Sequence, residues 1–225
     1  MKLLTSNAKL DKANKKYLNL GLSFAEGNKS GREVCTWRGD CFKSCVNESG
    51  MNKFPAAQNA KIERTKLFFE DRKAFDLLLR AELTLANIKA KKKNQTLAVR
   101  LNLGSDIMWE REAPWIFTEF KDIVFYDYTK APWRVRPYSA TFPQNYHLTY
   151  SVSERSHIGE IAYNLEQNRN VAAVFPTKDL PKKFLGYRVI DGDKHDLRFL
   201  DPIGVVVGLR AKNGAVKKSP RFVQL

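Results

Sequence analysis

The stretch YHLTYSVSERSHIGEIAYNLEQNRNVAAVFP, residues 146–176, sets the fold class. Its opening YHLTYSV (146–152) and its closing VAAVFP (171–176) are rich in aromatic and β-branched side chains and read as short strands. Between them Ile158, Ile161 and Leu165 recur at the spacing of one helical face, with Ser156 placed as a cap. Strand, helix, strand is the pattern of a parallel β-α-β unit, because a parallel return needs a crossover over the sheet.

The same alternation extends outward in both directions. Strands are expected at 17–24 (YLNLGLSF), 97–103 (LAVRLNL), 122–128 (DIVFYDY), 186–190 (GYRVI) and 204–212 (GVVVGLRAK). Residues 56–91 read as two helices with a joint near Glu70 and Asp71, where Asp71 caps the second; Phe75, Leu78, Leu79 and Leu83 then share a face. APWIFTEF (113–120) supplies a further short helix. This order implies an α/β fold of about five β/α units, and a barrel-like arrangement, partial or irregular, is favoured over a doubly wound sheet. At 225 residues one domain is the default, with residues 1–16 and 213–225 placed at its periphery.

Lys and Arg outnumber Asp and Glu by 39 to 24, and residues 1–100 hold 21 of the basic groups against 10 acidic ones. A basic front half attracts polyanions, so a nucleic acid or a nucleotide is the first partner to consider; lysines that merely solvate helix faces are the plain alternative. No stretch approaches the roughly 20 apolar residues that cross a bilayer, and no export signal is visible, so a cytoplasmic protein without a membrane role is expected. The phosphate-binding loop of ATPases, the dinucleotide glycine fingerprint, the Gly-x-Ser-x-Gly elbow and the His-Glu-x-x-His pair are missing, which removes the commonest ATPase, dehydrogenase, hydrolase and metalloprotease readings.

All three cysteines, Cys35, Cys41 and Cys45, fall within the eleven residues CTWRGDCFKSC. If the last part is helical, Cys41 and Cys45 stand one turn apart, and the loop at Gly39 can fold Cys35 toward them. Three thiolates suit a [4Fe–4S] cluster with one iron left for water, a side chain or a substrate. Zinc is the alternative metal, with a fourth ligand from His147, His157 or His195. Three packed thiols and a disulfide complete the alternatives.

Polar residues recur just past the strand ends, where active sites of parallel sheets form. Asp106, Asp127, Lys130, Glu154, Asp193 and His195 are the candidate catalytic residues, and Asn102, Ser105, Thr129, Ser151 and Ser153 the candidate cofactor-binding ones. Each alone is also explained by turn and cap chemistry. DGDKHDLRFLDP gathers Asp191, Asp193, His195 and Asp196, a density that suits a divalent metal or general acid–base work; a metal-dependent nuclease is the alternative this raises. Trp115, Trp133, Tyr138 and Tyr146, interleaved with Arg134 and Arg136, suit base stacking beside phosphates, or an ordinary aromatic cover.

The succession SGREVCTWRGDCFKSCVNESG, RTKLFF, VRLNLGSDIMWE, FYDYTK, HLTYSVSE, VIDGDKHDLRFLDP and VVVGLRAK resembles the phage and plasmid "gene product 88" domain, from about residue 18 to 212. The resemblance implies a mobile-element origin rather than a defined activity. It carries over to the three cysteines, Arg64 and Thr65, the strand-end residues just named with Asp191 and Asp196, and Tyr128 and Arg198. An early three-cysteine loop followed by β/α units also resembles, by layout alone, radical S-adenosylmethionine enzymes. That second likeness implies S-adenosylmethionine as a further cofactor. The usual Cys-x3-Cys-x2-Cys spacing is replaced here by Cys-x5-Cys-x3-Cys.

Overall fold

The computed structural model describes residues 1–6, 10, 15–135, 142–212 and 214–224. Among these, nine strands form one sheet in the order β1-β2-β3-β4-β5-β6-β9-β8-β7. They are β1 (Leu4–Thr5), β2 (Tyr17–Leu22), β3 (Thr96–Arg100), β4 (Val124–Thr129), β5 (Tyr146–Ser151), β6 (Val171–Phe175), β7 (Lys183–Phe184), β8 (Tyr187–Asp191) and β9 (Val206–Arg210). β2 through β6, then β9 and β8, run parallel, and only the two edge strands β1 and β7 pair antiparallel. The expected α/β class holds, but the strands are not closed into a barrel: the order ends on two separate edges. The inserted β9 is the reason the simple β/α walk stops, since the last strand enters between β6 and β8 rather than at an edge.

Two faces can be told apart by alternation along the strands. On one, Leu97, Val99 and Phe125 pack under α1 (Pro55–Glu70) and α2 (Arg72–Lys92), together with Phe24, Phe68, Phe75, Leu79, Leu83 and Trp109. Each such side chain, fully withdrawn from water, stabilises by about 1.5–3 kcal/mol. Asp71 accepts from the Ala74 amide at 3.0 Å and caps α2, as its position between the two helices predicts. Farther along, Ile161 and Leu165 of α3 (Ile158–Glu166) join Tyr150, Val171, Ala173 and Val206. The expected cap at Ser156 is not made. His157 takes that place, while the Ser156 hydroxyl accepts from the Ser153 amide and bonds Tyr150.

The opposite face is covered by the β8–β9 connection. After Asp191 the chain runs back over the sheet: Leu197 packs on Ala98 and Tyr126, and the Phe199 ring meets Tyr17 and Tyr126 edge-on. Residues at both ends of the chain also contribute to the interior rather than lying at its margin. Leu3 and Leu4 are buried in the core beside β2, and Ala215, Ser219 and Val223 are buried near the cysteine segment.

Candidate functional site: a cysteine-lined cavity

β2 delivers the chain to the carboxyl edge of the parallel strands, and α1 fixes the next segment with polar groups rather than apolar ones. Arg64 donates to the Lys2 carbonyl and the Ser23 hydroxyl; the Thr65 hydroxyl accepts from the Ala25 amide at 2.9 Å. The Lys61 ammonium, 3% exposed, reaches Asn47, whose amide holds the Phe24 and Gly104 carbonyls. The entry to the cysteine segment, its exit and the loop after β3 are thereby tied to one helix.

Within the segment, residues 40–44 form a 3-10 helix and not an α-helix. With about three residues per turn, Cys41 shares its side with Ser44, so the one-turn pairing of Cys41 with Cys45 does not form. Ser44 instead bonds Ser219 at 2.7 Å, and Asp40 accepts from the Arg221 amide, so the chain's last residues clasp the segment. Glu154 accepts from the Asp40 amide at 2.8 Å. A Cβ on Gly39 would stand 1.7 Å from that carboxylate, so only glycine allows the approach.

All three cysteines are half-buried thiols outside any disulfide, and all three line one cavity of about 160 Å³. Asn102, Ser105 and Asp106 from the loop after β3 and Lys130 from the end of β4 line the same space. Burial pushes the Cys35 thiol up to about 11 and the Cys45 thiol to about 12, so both are neutral until something charged arrives. Burial also opposes the Lys130 ammonium, but thiolate charge at Cys41, Cys35 and Cys45 together with Asp106 favours it and raises its pKa, so the ammonium and ionised thiols support one another. Among the described residues, no three His, Cys, Asp or Glu side chains are grouped tightly enough to hold a single metal ion.

Behind the cavity lies a buried polar network that absorbs most of the strand-end candidates. Asp127, fully buried, accepts from the Asn102 amide (2.7 Å), the Asn102 side chain and the Tyr146 hydroxyl (2.8 Å). Asn102 in turn accepts from Ser105, the Ile107 amide and Trp109. Asp106 accepts from Thr129, the Lys130 amide and Arg134 (2.6 Å), and Arg134 also grips Glu110 with two nitrogens. These groups position the loops that face the cysteines.

Burial raises the Asp127 carboxyl from 3.8 to about 7. Its folded value lies above its unfolded one, so between about pH 4 and 7 the native chain holds a proton the unfolded chain has released, and stability falls as pH rises through that window. In Asp127→Asn this pH dependence is expected to disappear, because the amide does not titrate in either state. Denaturation midpoints measured at pH 5 and pH 8 check it: the variant should gain on the wild type at the higher pH, and parallel curves would sink the assignment.

The remaining candidates are not brought to the cavity. Ser151 ends β5, the Ser153 hydroxyl accepts from the Arg155 amide, and Glu154 serves the cysteine segment from outside. Asp193 pairs with Arg210 and Lys212, Asp191 with Arg210, Asp196 with Arg100, and His195 lies against Arg198. The acidic cluster of the β8–β9 connection is thus matched by cations and packs the second face of the sheet. Trp115 and Tyr146 belong to the core, and Arg134 to the buried network. Trp133, 39% exposed, meets Trp37 of the cysteine segment edge-on at 4.5 Å; Arg136 and Tyr138 lie outside the described residues.

Sequence reasoning missed Glu26 and Arg100, which line the cavity too, and reached Tyr128 of the same lining only through the family resemblance. Arg100 and Tyr128 carry a signal in retrospect. Their alternation puts them on the face opposite Val99 and Phe125, and the guanidinium stacks on the phenol ring at 4.6 Å. Glu26 stands next to a glycine in an otherwise ordinary loop and carries no such mark.

No helix among the described residues is long and apolar enough to cross a membrane. No curated protein and no solved structure matches the chain, and the comparisons give no support to a likeness to radical S-adenosylmethionine enzymes. The order of motifs around the cysteines, the β3 and β4 ends and the β8–β9 connection is matched, over residues 1–224, by one family: this chain belongs to the Gene product 88 family.

Proposed function

We propose that this chain, of phage or plasmid origin, is an iron–sulfur protein that holds a [4Fe–4S] cluster with Cys35, Cys41 and Cys45 and acts on a nucleotide or nucleic acid, with radical chemistry as its reaction type. The observation that carries the reading is that three thiols share one cavity without being grouped around one point. A zinc ion would draw its sulfurs to about 3.8 Å from one another, as bonds of about 2.3 Å in a tetrahedron impose. In a cubane each thiolate binds a different iron, so donors spread around a cavity fit it better. Lys130 supports the reading as well, since a cation lining the same cavity as the three thiols offsets the negative charge a thiolate-bound cluster brings. When bound, such a cluster supplies electron transfer and, at an iron without a cysteine, a site for a ligand. S-adenosylmethionine is the cofactor that the layout suggests for that iron.

The parallel strands β2 to β6 succeed one another without a reversal of order, which supports a site along their carboxyl edge rather than at a switch point of a doubly wound sheet. A substrate would approach from the carboxyl edge, past Arg38, Lys43, Arg155 and Arg221, which line a neighbouring surface cavity, and past Trp133.

Anaerobic purification with an absorption spectrum and analysis for iron, acid-labile sulfide and zinc tests the reading. A brown protein with about four irons per chain is expected; stoichiometric zinc without sulfide overturns it. The partner is tested separately by retention on single-stranded DNA or RNA at rising salt. Changing Arg155 and Arg221 to Gln should weaken binding uniformly and flatten the salt slope. Trp133→Ala should cost about 1–3 kcal/mol with the slope kept. Lys91, Lys92 and Lys93 end α2 just before β3 begins, at the opposite edge of the strands, so their replacement by Gln should change little. If the wild type shows no salt-dependent retention, a small-molecule substrate takes the place of nucleic acid.

A further inference from the structure

Three carboxylates line the cysteine cavity, and two of them are committed elsewhere. Glu33 accepts from the Cys35 amide at 2.8 Å and pairs with Arg38 at 3.0 Å, while Asp106 is taken by Thr129, Lys130 and Arg134. Glu26 is different. Its side chain lies in a residue 6% exposed, its Oε1 is buried with no hydrogen-bond partner, and its carboxylate is hydrogen-bonded to the Cys45 thiol. A buried carboxylate oxygen left without a donor costs free energy that a solvated one does not, so its retention points to a ligand that meets it.

On the reading of the cysteines as cluster ligands, we infer that Glu26 is the fourth protein donor of the site, binding the iron that no cysteine reaches. The placement supports this: the Thr65 hydroxyl anchors the Ala25 amide immediately before it, so the carboxylate is held on the cavity wall by the same helix that ties down the cysteine segment. Glu26 and the three cysteines line the same cavity. A carboxylate is a harder and weaker partner for this iron than a thiolate, so the position is closed at rest and open to exchange by a substrate oxygen or nitrogen.

The test reconstitutes the full chain anaerobically with ferrous iron and sulfide, as wild type, Glu26→Gln and Glu26→Cys. Iron and sulfide are then followed during mild oxidation, with the paramagnetic signal of [3Fe–4S] as readout. Glu26→Gln should lose one iron at least about tenfold faster than wild type, the low end of what removing even an outer-shell partner costs. Glu26→Cys should retain four irons at least as well as wild type. If the wild type binds iron and sulfide but Glu26→Gln loses iron at the wild-type rate, the inference falls while the cluster stands. If the wild type binds neither, the cluster reading itself falls. Should Glu26→Gln fail to fold, the wild-type cluster is measured in water enriched in the magnetic oxygen isotope. No coupling to solvent oxygen is expected, and an observed coupling would put water, not Glu26, on the fourth iron.

Discussion

Cys35→Ser, Cys41→Ser and Cys45→Ser should each reduce iron and sulfide in the purified chain to a small fraction of the wild-type content. A cubane held by three thiolates loses one of three soft ligands, and a serine oxygen is a poor replacement on iron. The effect should exceed that of any substitution at Glu26, whose ligand is the exchangeable one. The folded chain should survive all three changes, because the thiols are half-buried and the segment is held by Asp40, Ser44, Asn47 and Glu154 instead. Metal analysis beside circular dichroism checks both halves. A variant that keeps its full iron and sulfide shows that its cysteine is not a ligand. A variant that unfolds shows that the thiols brace the loop.

Arg134→Leu is expected to destabilise the chain by about 3–5 kcal/mol, since removing one partner leaves buried charge uncompensated. The Arg134 side chain is 1% exposed, and its partners Asp106 and Glu110 are 5% and 12% exposed. The guanidinium makes the 2.6 Å contact to Asp106 and the two-nitrogen contact to Glu110 at once, which a lysine cannot reproduce. Arg134→Lys should therefore recover only part of the loss. Chemical denaturation measures it, and a loss below about 1 kcal/mol, the level of exposed pairs, would show that the network is not what holds the β3 and β4 loops. Because Asp106 also accepts from the Lys130 amide, either variant should loosen the wall facing the cysteines and reduce cluster retention.

The order of strands and helices, the Asp71 cap and the gathering of three cysteines after β2 were all written in the chain. Hydrophobic periodicity is a local property, and parallel strands buried on both faces announce themselves as short apolar runs. The insertion of β9 between β6 and β8, and with it an open sheet, was not local and left no mark on any strand's own composition. The same holds for the DGDKHD segment: its charges were legible, but the cations that match them, Arg100, Arg210 and Lys212, lie far away in sequence. Helix α1 shows why the site was harder to read than the fold. Its buried Lys61, Arg64 and Thr65 look like a solvated face, because polar residues carry no sign of whether they meet water or a distant carbonyl. Glu26 is the clearest instance. Sequence determined which residues carry sulfur, charge and strand propensity. Only the tertiary structure decided which carboxylate keeps an oxygen free beside the thiols, since that depends on what every other donor in the fold has already been given.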